Sequence, residues 1–246
     1  MRLVLDMDNH HLKLAKEFHE TLKVDAENRI VQKFPERIIH LNELLKMPEF
    51  RIAATDIKCK LEIPTITKVE NNVNNCEGKT QGKRPRLDSN SHDTIPGQLL
   101  IPANKKIVEV IKILKPNIKQ LAEDTNALKM WVSLLIPKIE DGNNFGVSVQ
   151  EDTLAEIQQV EVEATNYLEQ MSRYYASRGK LISKVCKYPY IEDYRCAVEE
   201  LDERQYLSMS LTMHEIRNRY STLHDIVIKN FDKIKKPRSS NTDSLY

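Results

Sequence analysis

Glycine is scarce, at 6 in 246 residues, and aromatic residues make up only 6%. So few glycines exclude folds built on many tight turns, such as β-sandwiches and Rossmann sheets, and favour long helices. No apolar run reaches the ~18–20 residues that would span a bilayer. Met1–Asn9, with Asp6 and Asp8, lacks the apolar stretch of a secretory signal. An excess of one charge is also missing. The formal net charge is +1, which excludes a globally basic nucleic-acid binder. Cys59, Cys76, Cys186 and Cys196 form no CxxC pair and stand at no zinc-finger spacing with histidine. They read as reduced thiols of the cytosol or nucleus. His10 and His11 are adjacent and His214 and His224 are ten apart, so neither pair offers the i, i+4 spacing of a helical metal site. No Walker A, GxGxxG, GxSxG or HExxH motif occurs. The chain reads as having no catalytic centre, and no cofactor or metal is expected.

What is present is helical periodicity. Ile107, Ile111, Leu114, Ile118, Leu121, Thr125, Leu128, Val132 and Leu135 alternate in steps of four and three, a heptad seam with one polar member. Leu154, Ile157, Glu161, Ala164, Leu168, Met171, Tyr175, Arg178, Ile182 and Val185 repeat it, interrupted by Glu161 and Arg178. Met209, Met213, Ile216, Tyr220, Leu223, Val227, Phe231 and Ile234 form a further seam. Off that stripe lie Tyr206, Leu207, Leu211 and Ile226. They are either a second face for another copy or the flank of a wide core stripe. An earlier segment is rougher, through Leu12, Ala15, Leu22, Ala26, Ile30, Ile38, Leu41 and Leu45. Pro35 should bend it, Pro48 should stop it, and Pro116 should kink the next helix.

These segments predict an all-α, up-down-up-down four-helix bundle of long helices. Residues 1–60 would supply its N-terminal helix and residues 105–246 its other three. Residues 61–104, with Pro64, Pro85, Pro96, Pro102 and an asparagine-rich run, read as a flexible linker. Pro189 is expected near the first position of the last helix. By parity, the connection after the second helix and the end of the fourth leave the bundle at one end. The linker and the Pro189 turn then leave it at the other.

The connection Pro137–Gln150 carries two of the six glycines, and Asp141-Gly142 and Asn143 are turn formers. Ser148 with Glu151 three residues later predicts a capping box. The segment is either a well-capped helix–helix connection or a stiff loop that presents Phe145 as a docking surface. The C-terminal Ser239–Tyr246 is open to two readings as well, a frayed end or a docking tail. Lys83, Arg84 and Arg86 form a basic cluster, either a nuclear-localisation signal or a solvated charge run.

The run Ile136-Pro137-Lys138-Ile139-Glu140-Asp141-Gly142-Asn143-Asn144-Phe145-Gly146-Val147 closely resembles the activation loop of the 11S (REG-type) proteasome activator family. Leu128–Val132, Ser172–Tyr175, Lys187–Pro189, Glu192–Arg195 and Lys235–Asn241 resemble it too. The likeness is dense over residues 105–246 and looser over 10–60. Pro237–Asn241 and Lys83–Asp88 make it most similar to the gamma type. The resemblance implies a peptidase activator that is not an enzyme: a homoheptameric ring on the α-ring of the proteasome core particle, acting without ATP or ubiquitin. Peptides and unfolded proteins would pass through its channel. It also implies that Lys138, Ile139, Glu140, Asp141, Gly142, Asn143, Asn144, Phe145 and Gly146 open the gate. The tail would dock through Ser244, Leu245 and Tyr246. Lys83, Arg84 and Arg86 would direct the protein to the nucleus, with the cytoplasm as a second compartment. No membrane or nucleic-acid partner is expected. The competing class is a helical scaffold or coiled-coil adaptor with no effect on proteolysis.

Overall fold

The seam of residues 107–132 is what the second long helix buries. The computed structural model describes residues 2–58, 101–137 and 145–237. Its helices are α1 (Arg2–Asn28), α2 (Phe34–Leu44), α3 (Lys105–Leu135), α4 (Phe145–Lys187), α5 (Glu192–Lys229) and the short α6 (Phe231–Lys235). The described residues form no strand. By contact, the chain divides into one unit of Met1–Cys59 with Asn104–Tyr246 and a second of Lys60–Ala103. Of the second, only residues 101–103 are described, in no regular secondary structure.

Within the first unit α3 packs on α1, α4 and α5, while α5 packs on α2 and α4. All of the predicted α3 seam except the half-buried Leu135 is buried. Thr125 keeps its place there because its hydroxyl donates to the Leu121 carbonyl at 2.8 Å. Helix α3 runs through Pro116 as one element. The chain meets Pro35 with a π-helical turn at Arg29–Lys33, which leaves the proline in the first turn of α2, where a missing N–H costs little. Pro48 opens a 3₁₀ turn, four residues after the end of α2.

Several expectations need correction. Leu12 is 61% exposed, and Ala15 is exposed with it, because residues 10–21 of α1 all face outward and burial among the described side chains starts at Leu22. In α4 the stripe through Ile157, Ala164, Met171, Arg178 and Val185 is buried, with Leu154, Leu168 and Ile182 half-buried beside it, but two positions shift by one residue. Val160 and Tyr174 are buried instead of Glu161 and Tyr175. Adjacent residues lie about 100° apart on a helix, so a helix packed against both α3 and α5 can take either. The apolar Val160 wins over Glu161, which instead pairs with Lys129 at 2.7 Å. Tyr206 is buried in the core, and its hydroxyl accepts the Ile52 N–H at 2.9 Å. Leu207 and Leu211 remain more than half exposed on the single chain, along an open groove between α4 and α5. Pro189 sits in the turn between α4 and α5, three residues before α5 begins. Ser148 lies inside α4 rather than at its cap, because the helix starts earlier, at Phe145.

Two buried carboxylates tie the helices together. Asp124 of α3 accepts from Arg29 at 2.5 Å, from the Tyr220 hydroxyl at 2.7 Å and from Gln120 at 3.1 Å. Asp202 of α5 accepts from the Tyr174 hydroxyl at 2.8 Å, Arg178 Nε at 3.0 Å and Asn104 Nδ2 at 2.9 Å. Burial first, then the facing carboxylate, pushes the hydroxyls of Tyr174 and Tyr220 well above the usual tyrosine range. Both phenols therefore stay protonated and can act only as donors to these acids. A buried pair such as Arg178–Asp202 adds little net stability once desolvation is counted, but it fixes which helix face meets which.

Candidate functional site

Three chain ends have to be held where the bundle gives way to the 138–144 segment and the C-terminal tail. They are the end of α3, the start of α4 and the end of α6. Helix α5 breaks at Asn230, whose backbone lies at φ −108°, ψ 9° and whose Nδ2 donates back to the Ile226 carbonyl at 2.9 Å. The chain restarts as α6, with Ile234 fully buried. Phe231 of α6 stacks on Trp131 of the last turns of α3, with ring centroids 5.7 Å apart and planes at 30°. Lys235 of α6 pairs with Glu27 of α1 at 3.0 Å and lies over the Phe231 ring. These contacts pin the root of the tail to α3 and α1.

Gln150 and Gly146 add the start of α4. Gln150 is fully buried, and its Nε2 donates to the Leu135 carbonyl at 3.0 Å and the Ile234 carbonyl at 2.8 Å. Gly146 is buried against Pro237, so closely that an added Cβ would lie 1.8 Å from the Pro237 carbonyl oxygen. Any larger residue would have to displace backbone, which makes glycine a requirement of this contact. The two helix ends flanking residues 138–144 and the root of the C-terminal tail therefore lie together at one end, as parity predicted. At the opposite end, Asn104 bridges the Ile57 carbonyl at 3.0 Å to Asp202.

Of the predicted loop, Phe145 opens α4 and Gly146 is its second residue, so both belong to the helix rather than to the connection. Lys138, Ile139, Glu140, Asp141, Gly142, Asn143 and Asn144 lie outside the described residues, as do Ser244, Leu245, Tyr246, Lys83, Arg84 and Arg86. Sequence reasoning missed Gln150, although one signal was available. Counting back from Ile157 in steps of four, three and four reaches Thr153, Gln150 and Gly146, a polar run on a buried stripe.

Residues 12–68 match the family described as proteasome activator PA28, N-terminal, and residues 100–244 match proteasome activator PA28, C-terminal. The chain is 43% identical over 256 residues to proteasome activator complex subunit 3 of Homo sapiens, covering 100% of both. It is 41% identical to the Gallus gallus protein of that name over the same full span. Among solved structures it is similar to the 11S subunit of the Plasmodium falciparum proteasome, PA28. That likeness has a TM-score of 0.73 at 30% identity and covers 92% of this chain and 94% of that one. The activator PA26 of Trypanosome brucei, solved with the yeast 20S proteasome, shares the fold at 13% identity. Its TM-score is 0.58 over 92% of this chain and 90% of that one.

Proposed function

The chain belongs to the PA28 (11S) proteasome activator family, and from that premise we propose how it acts: it docks on the α-ring of the proteasome core particle and opens it. It is a regulatory protein rather than a catalytic one. Its substrates are peptides and unfolded proteins, admitted without ATP or ubiquitin. The observation that carries the reading is the convergence of Leu135, Gly146, Gln150, Ile234 and Pro237 at one end. A gate opener must deliver an anchor and an effector loop to the same surface, and a scaffold has no such need. In this reading Ser244, Leu245 and Tyr246 enter pockets of the α-ring, while residues 138–146 bear on its gate. Seven copies form the ring. The exposed Leu207 and Leu211 on α5, a helix whose other face is already buried in the core, support self-association.

Purified core particle hydrolysing a fluorogenic peptide in ATP-free buffer is expected to run faster when the protein is added. Native mass spectrometry is expected to find a particle of about 200 kDa, seven times 28.6 kDa. An unchanged hydrolysis rate, or only monomers and dimers at micromolar concentration, overturns the reading.

Location follows from a different segment. Lys83, Arg84 and Arg86 would act as the import signal, since a short basic cluster in a polar, proline-containing stretch suits an import receptor. Replacing all three with alanine is expected to move a tagged protein from the nucleus to the cytoplasm. An unchanged nuclear signal assigns import to another segment or to a partner.

A further inference from the structure

A helix leaves its last carbonyls without helical donors, and two such ends meet at Gln150. Leu135 closes α3 and Ile234 lies in the last turn of α6. Both carbonyls accept from a single atom of α4, Gln150 Nε2, at 3.0 and 2.8 Å. A carboxamide nitrogen carries the two N–H donors that this requires. A carboxylate there would face two carbonyl oxygens and the negative end of the α3 macrodipole. Gln150 Oε1 is buried and has no hydrogen-bond partner among the described residues. The side chain therefore keeps one polar atom unmet while joining the two carbonyls. The backbone contact of Gly146 with Pro237 joins the same elements a second time.

We propose that Gln150 is a positioning residue: its carboxamide makes the stem of the activation loop and the root of the docking tail one rigid joint, so that seating the tails also places the loops. The inference rests on the activator reading above. With the joint intact, docking and gate opening are one event. With it cut, the tails still reach their pockets but the loop stems are free to shift.

The test compares wild type with Gln150→Glu and Gln150→Met, using purified core particle and a fluorogenic peptide. Native mass spectrometry first checks that each variant forms the ring. Two quantities are then read: the concentration giving half-maximal stimulation, and the plateau rate at saturation. The half-saturating concentration is expected to stay close to wild type, because the tails set it. The plateau is expected to fall about tenfold for Gln150→Glu, a typical coupling between sites, and by less for the uncharged Gln150→Met. A third readout is pH. Burial and the two facing carbonyls raise the pKa of the introduced carboxyl, and protonation gives back one donor. Stimulation by Gln150→Glu relative to wild type is therefore expected to climb as the pH falls, at an unchanged half-saturating concentration, whereas a lesion of the fold would move the assembled fraction with it.

Wild-type failure to stimulate would sink the activator reading itself. Wild-type stimulation with a wild-type plateau in either assembled variant would sink only the joint. If Gln150→Glu does not assemble, Gln150→Met carries the test. Loss of the ring in Gln150→Met would assign Gln150 to folding and overturn the proposal.

Discussion

Removal of Ser239–Tyr246 is expected to abolish binding to the core particle while leaving the ring intact. The cut falls beyond the contacts that hold the tail's root. Phe231 on Trp131, the buried Ile234, Lys235 on Glu27 and Gly146 on Pro237 all lie before it. The truncated protein should therefore keep wild-type helical content and the same number of subunits, its native mass lower only by the residues removed. Binding is another matter. One short tail ordering itself in a pocket is worth a Kd of about 1 mM, or about −4 kcal/mol. Fixing several tails on one rigid ring makes each later docking intramolecular, and avidity rises by about 10²- to 10⁴-fold. Without the tails the loops alone must overcome the whole cost of association. Co-sedimentation with core particle should fall to background, and peptide hydrolysis should return to the rate of core particle alone. A truncated ring that still co-sediments would place the anchor elsewhere on the bundle.

How much of this was legible in the sequence varies by helix. The seam of α3 could be read almost residue for residue, because an apolar residue stands at nearly every step and the one exception, Thr125, satisfies its own hydroxyl within the helix. That of α5 was equally plain from Met209 to Val227. Helix α4 was half legible. It is pressed between two partners, and period alone cannot choose between Tyr174 and Tyr175; the choice falls to Tyr174 because Asp202 offers its hydroxyl an acceptor. The early turns of α1 misled because Leu12 and Ala15 continue an apolar pattern that the single chain leaves uncovered. The joint at Gln150 was hidden for a related reason. Its partners are backbone carbonyls of Leu135 and Ile234, separated from it by 15 and 84 positions. The stripe counted back from Ile157 marks Gln150 as facing inward, but no side-chain pattern names backbone carbonyls as its partners. The start of α4 was misplaced by the Ser148–Glu151 pair, a local signal overridden by the tertiary contact of Gly146 with Pro237.

Replacing Asn143 with tyrosine is expected to separate docking from opening. Asn143 follows Asp141-Gly142, and asparagine both tolerates left-handed backbone and bonds its own turn through a short side chain. Tyrosine keeps neither property and adds a ring to a connection only nine residues long between α3 and α4. The tail and its root are untouched, so the variant should assemble, co-sediment with core particle like wild type, and give no stimulation of peptide hydrolysis. Mixed rings sharpen the test. If opening needs every loop seated on the α-ring, one variant subunit spoils a ring. With equal amounts of the two proteins only about 1% of randomly mixed heptamers would then be wholly wild type. Stimulation by co-assembled mixtures should therefore fall far faster than the wild-type fraction, whereas rings mixed after assembly should lose it only in proportion. An Asn143→Tyr ring that stimulates as well as wild type would leave residues 138–146 as a mere connection and remove the gating role assigned to them.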